Sequence, residues 1–297
     1  MAENNQRIAV TAASGALGRL VVEHLQRLAG SENVVAVARD TAKCDFDDIE
    51  LRAGDYADPA QLESAFAGID CVVFISSPVG PDNREELHRN VINAAKSAGV
   101  RKIIYSSVIG NGTEMDTLYA PMAKVNRQAE ADIEASGMEW IAARNGFYLE
   151  FDVAHILNAV DDGVFRNNGD DGYCCYITRN EIAYATAHLA LSDKCNNRVL
   201  NVVGEAYRQD ELVDIVNIQA GTEVRYESIS DDESLAKMTP LRGEVVAGML
   251  TGCYQAIRLG AFDVPSDYED IADVNCKPMP FMVAEVLATI RAGQSER

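Results

Sequence analysis

Arg7-Ile8-Ala9-Val10-Thr11-Ala12-Ala13-Ser14-Gly15-Ala16-Leu17-Gly18 is the stretch on which the reading of this chain turns. The first five residues form an apolar run of strand length. After the small residues, Leu17, Leu20, Val21, His24, Leu25 and Leu28 recur at the spacing of one helical face. A strand that passes through a tight glycine loop into a helix gathers backbone amides and a helix N-terminus at one point, where a pyrophosphate can bind. Thr11, Ala12, Ser14, Gly15, Ala16, Leu17 and Gly18 are therefore expected to cradle a dinucleotide. Gly15 and Gly18 supply two of the small residues this turn needs. Ala12 stands where a glycine would usually open it, and its methyl group is expected to be tolerated only at negative φ.

The same strand and helix alternation continues outward. Val34 to Ala38 reads as a second strand, and a short one precedes Gly54. Asp58-Pro59 is an N-cap followed by a first-turn proline, opening a helix that stops at Gly68. Cys71 to Ile75, Lys102 to Ser107 and Trp140 to Ala143 read as further buried strands, separated by helices closed at Gly99 and Gly137. Alternation of this kind demands an α/β fold, a Rossmann-type doubly wound parallel sheet. Beyond about Phe147 the pattern loosens. Residues 1–150 are expected to form the nucleotide-binding domain and 151–297 a smaller C-terminal α+β substrate lobe. A segment at about 178–203 returns to the main core: Thr178 to Glu181 reads as a capping box opening a helix to Leu191, and Arg198 to Val203 as one more strand.

An acid at the end of strand two would bond a ribose 2′-hydroxyl, but Arg39 stands there, and a guanidinium can take a 2′-phosphate. The expected cofactor is NADP(H). Arg39 as a plain surface charge, or paired with Asp40, is the competing reading. Asp55 and Tyr56 follow the short strand, where Asp55 can meet an adenine amino group or serve as an ordinary turn residue.

Composition narrows the partners. With 26 basic and 46 acidic side chains the formal charge is −20, which repels nucleic acid and anionic membranes. The 7 cysteines are scattered without a Cys-x-x-Cys pair, so free thiols in a reducing compartment are expected rather than disulfides or zinc. The start lacks a signal-peptide pattern and no stretch approaches a membrane span, so a cytoplasmic, soluble chain is expected. No metal constellation is visible.

Several segments together resemble the atypical short-chain dehydrogenases of the NmrA-like branch, in the group of quinone oxidoreductases and triphenylmethane reductases. They are Thr11 to Gly18, Gly54 to Pro59, Phe74 to Ser77, His88 to Val100 and Arg144 to Tyr148. The resemblance implies that Ser76, Ser77 and Pro78 lie beside the nicotinamide half of the cofactor. It also implies that Asn145, Gly146, Phe147 and Tyr148 line the floor between cofactor and substrate. The wider dehydrogenase family uses Tyr-x-x-x-Lys as proton donor and ribose clamp, whereas this chain offers Tyr119 and Lys124, five apart, with Pro121 placing Tyr119 before the helix. A helix-start His of the relatives is Asn126 here. Lys124, Tyr119 and Tyr148 are the catalytic candidates, Lys124 doubling as a cofactor ligand or standing as a solvated lysine. The expected function is that of an NADPH-dependent reductase acting on a flat aromatic or conjugated acceptor such as a quinone, dye or aryl ketone. The alternative is a non-catalytic NADP(H)-sensing regulator. A homodimer is the oligomer to expect if one forms.

Overall fold

The computed structural model describes residues 6–77 and 81–295. Its main sheet has strands β1 (Ile8–Val10), β2 (Val34–Ala38), β3 (Glu50–Ala53), β4 (Cys71–Phe74), β5 (Lys102–Val108) and β6 (Glu139–Asn145). Between them run α1 (Ala16–Ala29), α2 (Pro59–Ala65), α3 (Pro81–Ser97) and α4 (Ala120–Glu134). The rest of the chain adds β7 (Phe147–Tyr148), α5 (Leu149–Asn158), β8 (Val164–Asn167), β9 (Cys174–Ile177), α6 (Arg179–Leu191) and β10 (Arg198–Val202). It closes with β11 (Ala206–Tyr207), α7 (Gln209–Ala220), β12 (Arg225–Ser228), α8 (Asp231–Arg242), α9 (Glu244–Arg258), α10 (Tyr268–Ala272) and α11 (Met279–Ser295).

Every pairing in the seven-stranded sheet is parallel, in the order β10-β6-β5-β4-β1-β2-β3. The chain winds outward from β1 in both directions, so the exits of β1 and β4 form the crevice at which open α/β sheets bind ligands. Strand alternation divides the core. Ile8 and Val10 pack with Leu17, Val21 and Leu25 of α1 and with α6, while Ala9 faces the opposite layer with Leu62 of α2, Val91 of α3 and Ile133 of α4. The helix after the glycine loop buries Val22 rather than Leu28, which stays exposed, so its inward face is turned from the one the periodicity suggests. Burying both faces explains why the strands read as continuous apolar runs.

A third apolar cluster joins α5, α7, α9 and α11 to the three-stranded sheet β11-β9-β7 over the carboxyl edge. Cys174, Cys175 and Tyr176 of β9 lie in it as packing residues. The helix α4 starts at Ala120, directly after Tyr119, with Pro121 in its first turn. Proline costs nothing there because a first-turn amide has no partner to lose. The capping box at Thr178 is half formed: Thr178 accepts from the Glu181 amide, but the Glu181 carboxylate goes instead to the Tyr268 hydroxyl and Lys277. Among the described residues no helix is long and apolar enough to cross a membrane.

Candidate active site

The glycine loop is held by a closed ring of hydrogen bonds. The Ile75 amide donates to Thr11 Oγ1 at 3.0 Å, Thr11 Oγ1 lies 2.6 Å from the Tyr56 hydroxyl, and that hydroxyl donates to the Ile75 carbonyl at 2.6 Å. The side chains of Thr11 and Tyr56 are thus committed to tying the loop to the exit of β4. Asp55 accepts from the Ala57 amide, as a turn aspartate does.

Inside the loop the backbone is crowded. A Cβ on Gly18 would stand 2.4 Å from the Ala12 carbonyl oxygen, and one on Gly15 would stand 3.1 Å from the same atom. Ala12 itself has φ 49°, in the left-handed region. The expectation of negative φ is wrong, because the turn demands the glycine-like conformation and Ala12 adopts it at a cost of about 1 kcal/mol. Ser14, Gly15 and Ala16 are exposed, and α1 begins with no acidic residue in its first turn and no side-chain cap. Its free amides and positive dipole end are available to a phosphate. Arg39 follows β2 as an exposed side chain with no ion pair among the described residues. Asp40 pairs with Lys43 at 3.4 Å instead.

Beyond the exits of β4, β5 and β6 lies a cavity of about 380 Å³ whose lining includes Ser76, Asn145, Phe147, Tyr148, Phe151 and Phe262. Asn145 is 4 % exposed and its Oδ1 has no hydrogen-bond partner among the described residues. A buried amide oxygen left empty marks a place for a ligand donor. The glycine cradle and this orphaned oxygen both fit a dinucleotide laid from α1 to Asn145. Gly146 keeps the floor low: a Cβ there would meet the Cys175 carbonyl at 2.7 Å. Tyr148 lies under the Arg179 guanidinium, 4.5 Å from its ring centre. Burial pushes its hydroxyl above the usual phenol range.

Tyr119 is the N-cap of α4, 8 % exposed, set edge-on against Phe262. It lines the cavity, and its hydroxyl has no partner among the described residues. Burial raises it far above the ordinary phenol range, so it stays protonated and can donate. Lys124 is exposed on α4 and does not line the cavity, five residues on α4 having turned it away from Tyr119. Pro78, the remaining expected cofactor contact, lies outside the described residues.

A second group of residues is not singled out by the sequence for chemistry. Arg84 and His88, one turn apart on α3, are 6 % and 1 % exposed, and Arg84 lines the cavity. His88 Nε2 accepts from the Ser77 amide at 3.1 Å, and burial beside Arg84 pushes its imidazole down to about 3. The proton of the neutral ring is therefore on Nδ1, 3.4 Å from the Tyr105 hydroxyl, which donates to Asn126 Oδ1 at 2.7 Å. Asn126, buried, also accepts from Arg84 at 3.3 Å. Below them, Glu130 receives Arg144 and Arg127 at 2.7 and 2.8 Å and fixes the start of the Asn145 segment. Burial alone would raise its carboxyl, but these partners hold it below the usual range. The one legible signal is the Arg84 and His88 spacing, which puts both on one helix face.

Residues 12–192 match the model of a family described as NAD(P)H-binding. The chain is similar to quinone oxidoreductase 2 of Escherichia coli, 34% identical over 236 residues, covering 78% of this chain and 80% of that protein. It is also 27% identical over 234 residues to an NmrA-like oxidoreductase of Aspergillus flavus, covering 76% of each. Among solved structures, the triphenylmethane reductase of Citrobacter sp. complexed with NADP(H) superposes with a TM-score of 0.85 at 29% identity, covering 94% of this chain and 99% of that one. The Escherichia coli quinone oxidoreductase complexed with NADPH gives 0.86 at 28%, with the same coverage. With its glycine cradle, its doubly wound sheet and these relatives, the chain belongs to the NAD(P)H-binding family, as an oxidoreductase of the NmrA-like branch.

Proposed function

We propose that this protein is an NADPH-dependent reductase of flat, conjugated acceptors of the quinone type. The observation that carries this reading is the character of the cavity wall. Phe147, Phe151 and Phe262 with Met122 and Met249 make the wall largely apolar and aromatic, as suits a planar conjugated ring, and no carboxylate lines it among the described residues. Thr11 and Tyr56 fix the loop, α1 amides face the phosphates, Arg39 is free for a 2′-phosphate, and Asn145 offers its empty oxygen at the inner end. The cofactor, when bound, supplies the hydride.

The protein's part is orientation and exclusion of water. A quinone that gains a hydride and one proton becomes a hydroquinone. The hydride leaves a phenolate-like anion that the newly aromatic ring stabilises, so the proton can be taken up afterwards rather than from a protein acid. An aryl ketone needs a proton at the moment of reduction, and with Lys124 turned away from the cavity the Tyr119 hydroxyl, a weak acid when buried, would have to give it without a lysine beside it. A regulator that only sensed the dinucleotide would have no use for an aromatic wall beside it. Initial rates of NADPH loss with matched quinones and aryl ketones test the acceptor class. Quinones are expected to react at least about tenfold faster, and equal rates would contradict the reading.

A further inference from the structure

Arg84 is buried, and among the described residues it is the one charged side chain lining the cavity and has no carboxylate paired with it. Its three donor atoms meet neutral groups only: His88 Nε2 at 3.4 Å, Asn126 Oδ1 at 3.3 Å and the Met122 thioether at 2.6 Å. Each is a weak or shared acceptor. His88 Nε2 already takes the Ser77 amide, Asn126 Oδ1 already takes Tyr105, and a thioether accepts poorly. A buried guanidinium normally lies against an anion, because desolvating it unpaired costs several kcal/mol. Here the surroundings hold it in place and leave its charge unmet. The second observation is Tyr119, which lines the same cavity as Arg84 and whose hydroxyl has no partner among the described residues.

We propose that Arg84 and Tyr119 form an oxyanion subsite, and that the acceptor of this enzyme carries an ionised oxygen, a phenolate-like hydroxyl or a carboxylate, on its conjugated ring. The inference rests on the reductase reading for the word acceptor, and on Arg84 alone for the charge. The guanidinium meets the negative oxygen, the neutral Tyr119 hydroxyl donates to it, and the phenyl walls hold the ring. His88 and Asn126 are positioning residues: a neutral His88 accepts from Arg84 instead of repelling it, so the guanidinium is held at the cavity wall. The same uncompensated charge works against cationic dyes, which would bring like charge against Arg84. The net charge of −20 does not conflict with this, since a buried cation acts locally where screening is weak.

The test is calorimetric titration of three ring ligands into the protein saturated with NADP⁺: a hydroxynaphthoquinone that is ionised at neutral pH, its O-methyl ether, and the unsubstituted naphthoquinone. The wild-type protein is expected to bind the anion about tenfold to a hundredfold more tightly than the ether, the range for a charge-assisted hydrogen bond. Arg84→Met should erase that preference while leaving the unsubstituted ring within about threefold and NADPH affinity, read by fluorescence, within about twofold. Arg84→Lys should restore part of it. Equal binding of anion and ether by the wild type overturns the proposal without any variant. So does a preference that survives Arg84→Met. Because binding is measured apart from turnover, failure of the reductase reading shows as bound quinone with no NADPH consumed, and failure of the subsite shows as turnover without anion preference.

Discussion

His88 Nε2 accepts the Ser77 backbone amide at 3.1 Å, so a ring from α3 terminates the exit of β4 where the cavity begins. The bond requires a neutral imidazole with an unprotonated Nε2. Protonation would turn the acceptor into a donor facing another donor, and it would place a cation beside Arg84.

The pH dependence of folding is tied to that bond. The His88 pKa is pushed down from 6.5 to about 3, so between these values the unfolded chain binds more protons than the native one and stability rises with pH. The contribution is complete above about 6.5 and is lost as pH falls toward 3. His88→Gln keeps an acceptor for the Ser77 amide but cannot titrate. Urea midpoints across this window should show the variant's stability climbing less steeply than the wild type's, by on the order of 1.4 kcal/mol per pH unit. Parallel profiles would contradict it.

Asp152 works in the opposite direction. It is fully buried, accepts the Tyr176 and Tyr254 hydroxyls at 2.6 and 2.5 Å, and burial lifts its carboxyl to about 6 despite those bonds. Between about 4 and 6 the native state holds the extra proton, so this group's contribution falls as pH rises. Asp152→Asn should therefore gain stability relative to wild type as pH is raised from 4 to 6, at a similar slope. The same urea series measures it, and a constant difference across the window is the opposing result.

Gly18→Ala places a methyl group 2.4 Å from the Ala12 carbonyl oxygen, a backbone atom that cannot swing aside. Relief requires the loop to move, with a destabilisation of about 1–3 kcal/mol and at least a tenfold loss of NADPH affinity by fluorescence titration. Gly15→Ala, with 3.1 Å to the same oxygen, should be milder. If Gly18→Ala bound NADPH normally, the loop would not be the phosphate cradle.

Arg39 is exposed and unpaired among the described residues, so its removal should leave folding untouched. Arg39→Ala is expected to weaken NADPH by about tenfold or more and NADH by less than about twofold, since only one of them carries the 2′-phosphate. Calorimetry with both nucleotides decides it, and equal weakening would reassign Arg39 to the surface.

The strands and the glycine loop are legible in the sequence because local rules fix them: apolar runs buried on both faces, Asp58-Pro59 at a helix start, Gly15 and Gly18 where a methyl group would collide. Ala12 defeats the local rule, since the tertiary turn overrides an alanine's preference for negative φ. Tyr56 and Thr11 stand at the loop, but their hydroxyls tie it to the neighbouring strand exit, a use no spacing reveals. Lys124 is suggested by a motif whose spacing is five instead of four, and the helix geometry turns it outward. Arg84 escapes a reading of the sequence because its meaning depends on what surrounds it: a cation four residues from a histidine is ordinary until its folded neighbours prove to be neutral.

The most direct measurement is the rate at which nicotinamide absorbance falls when NADPH and the purified protein meet a naphthoquinone, against the same mixture without quinone. An NADPH-dependent reductase gives rapid loss that requires both protein and quinone and saturates in each substrate. Tight NADPH binding by fluorescence with no quinone-dependent loss across neutral and anionic quinones would contradict it.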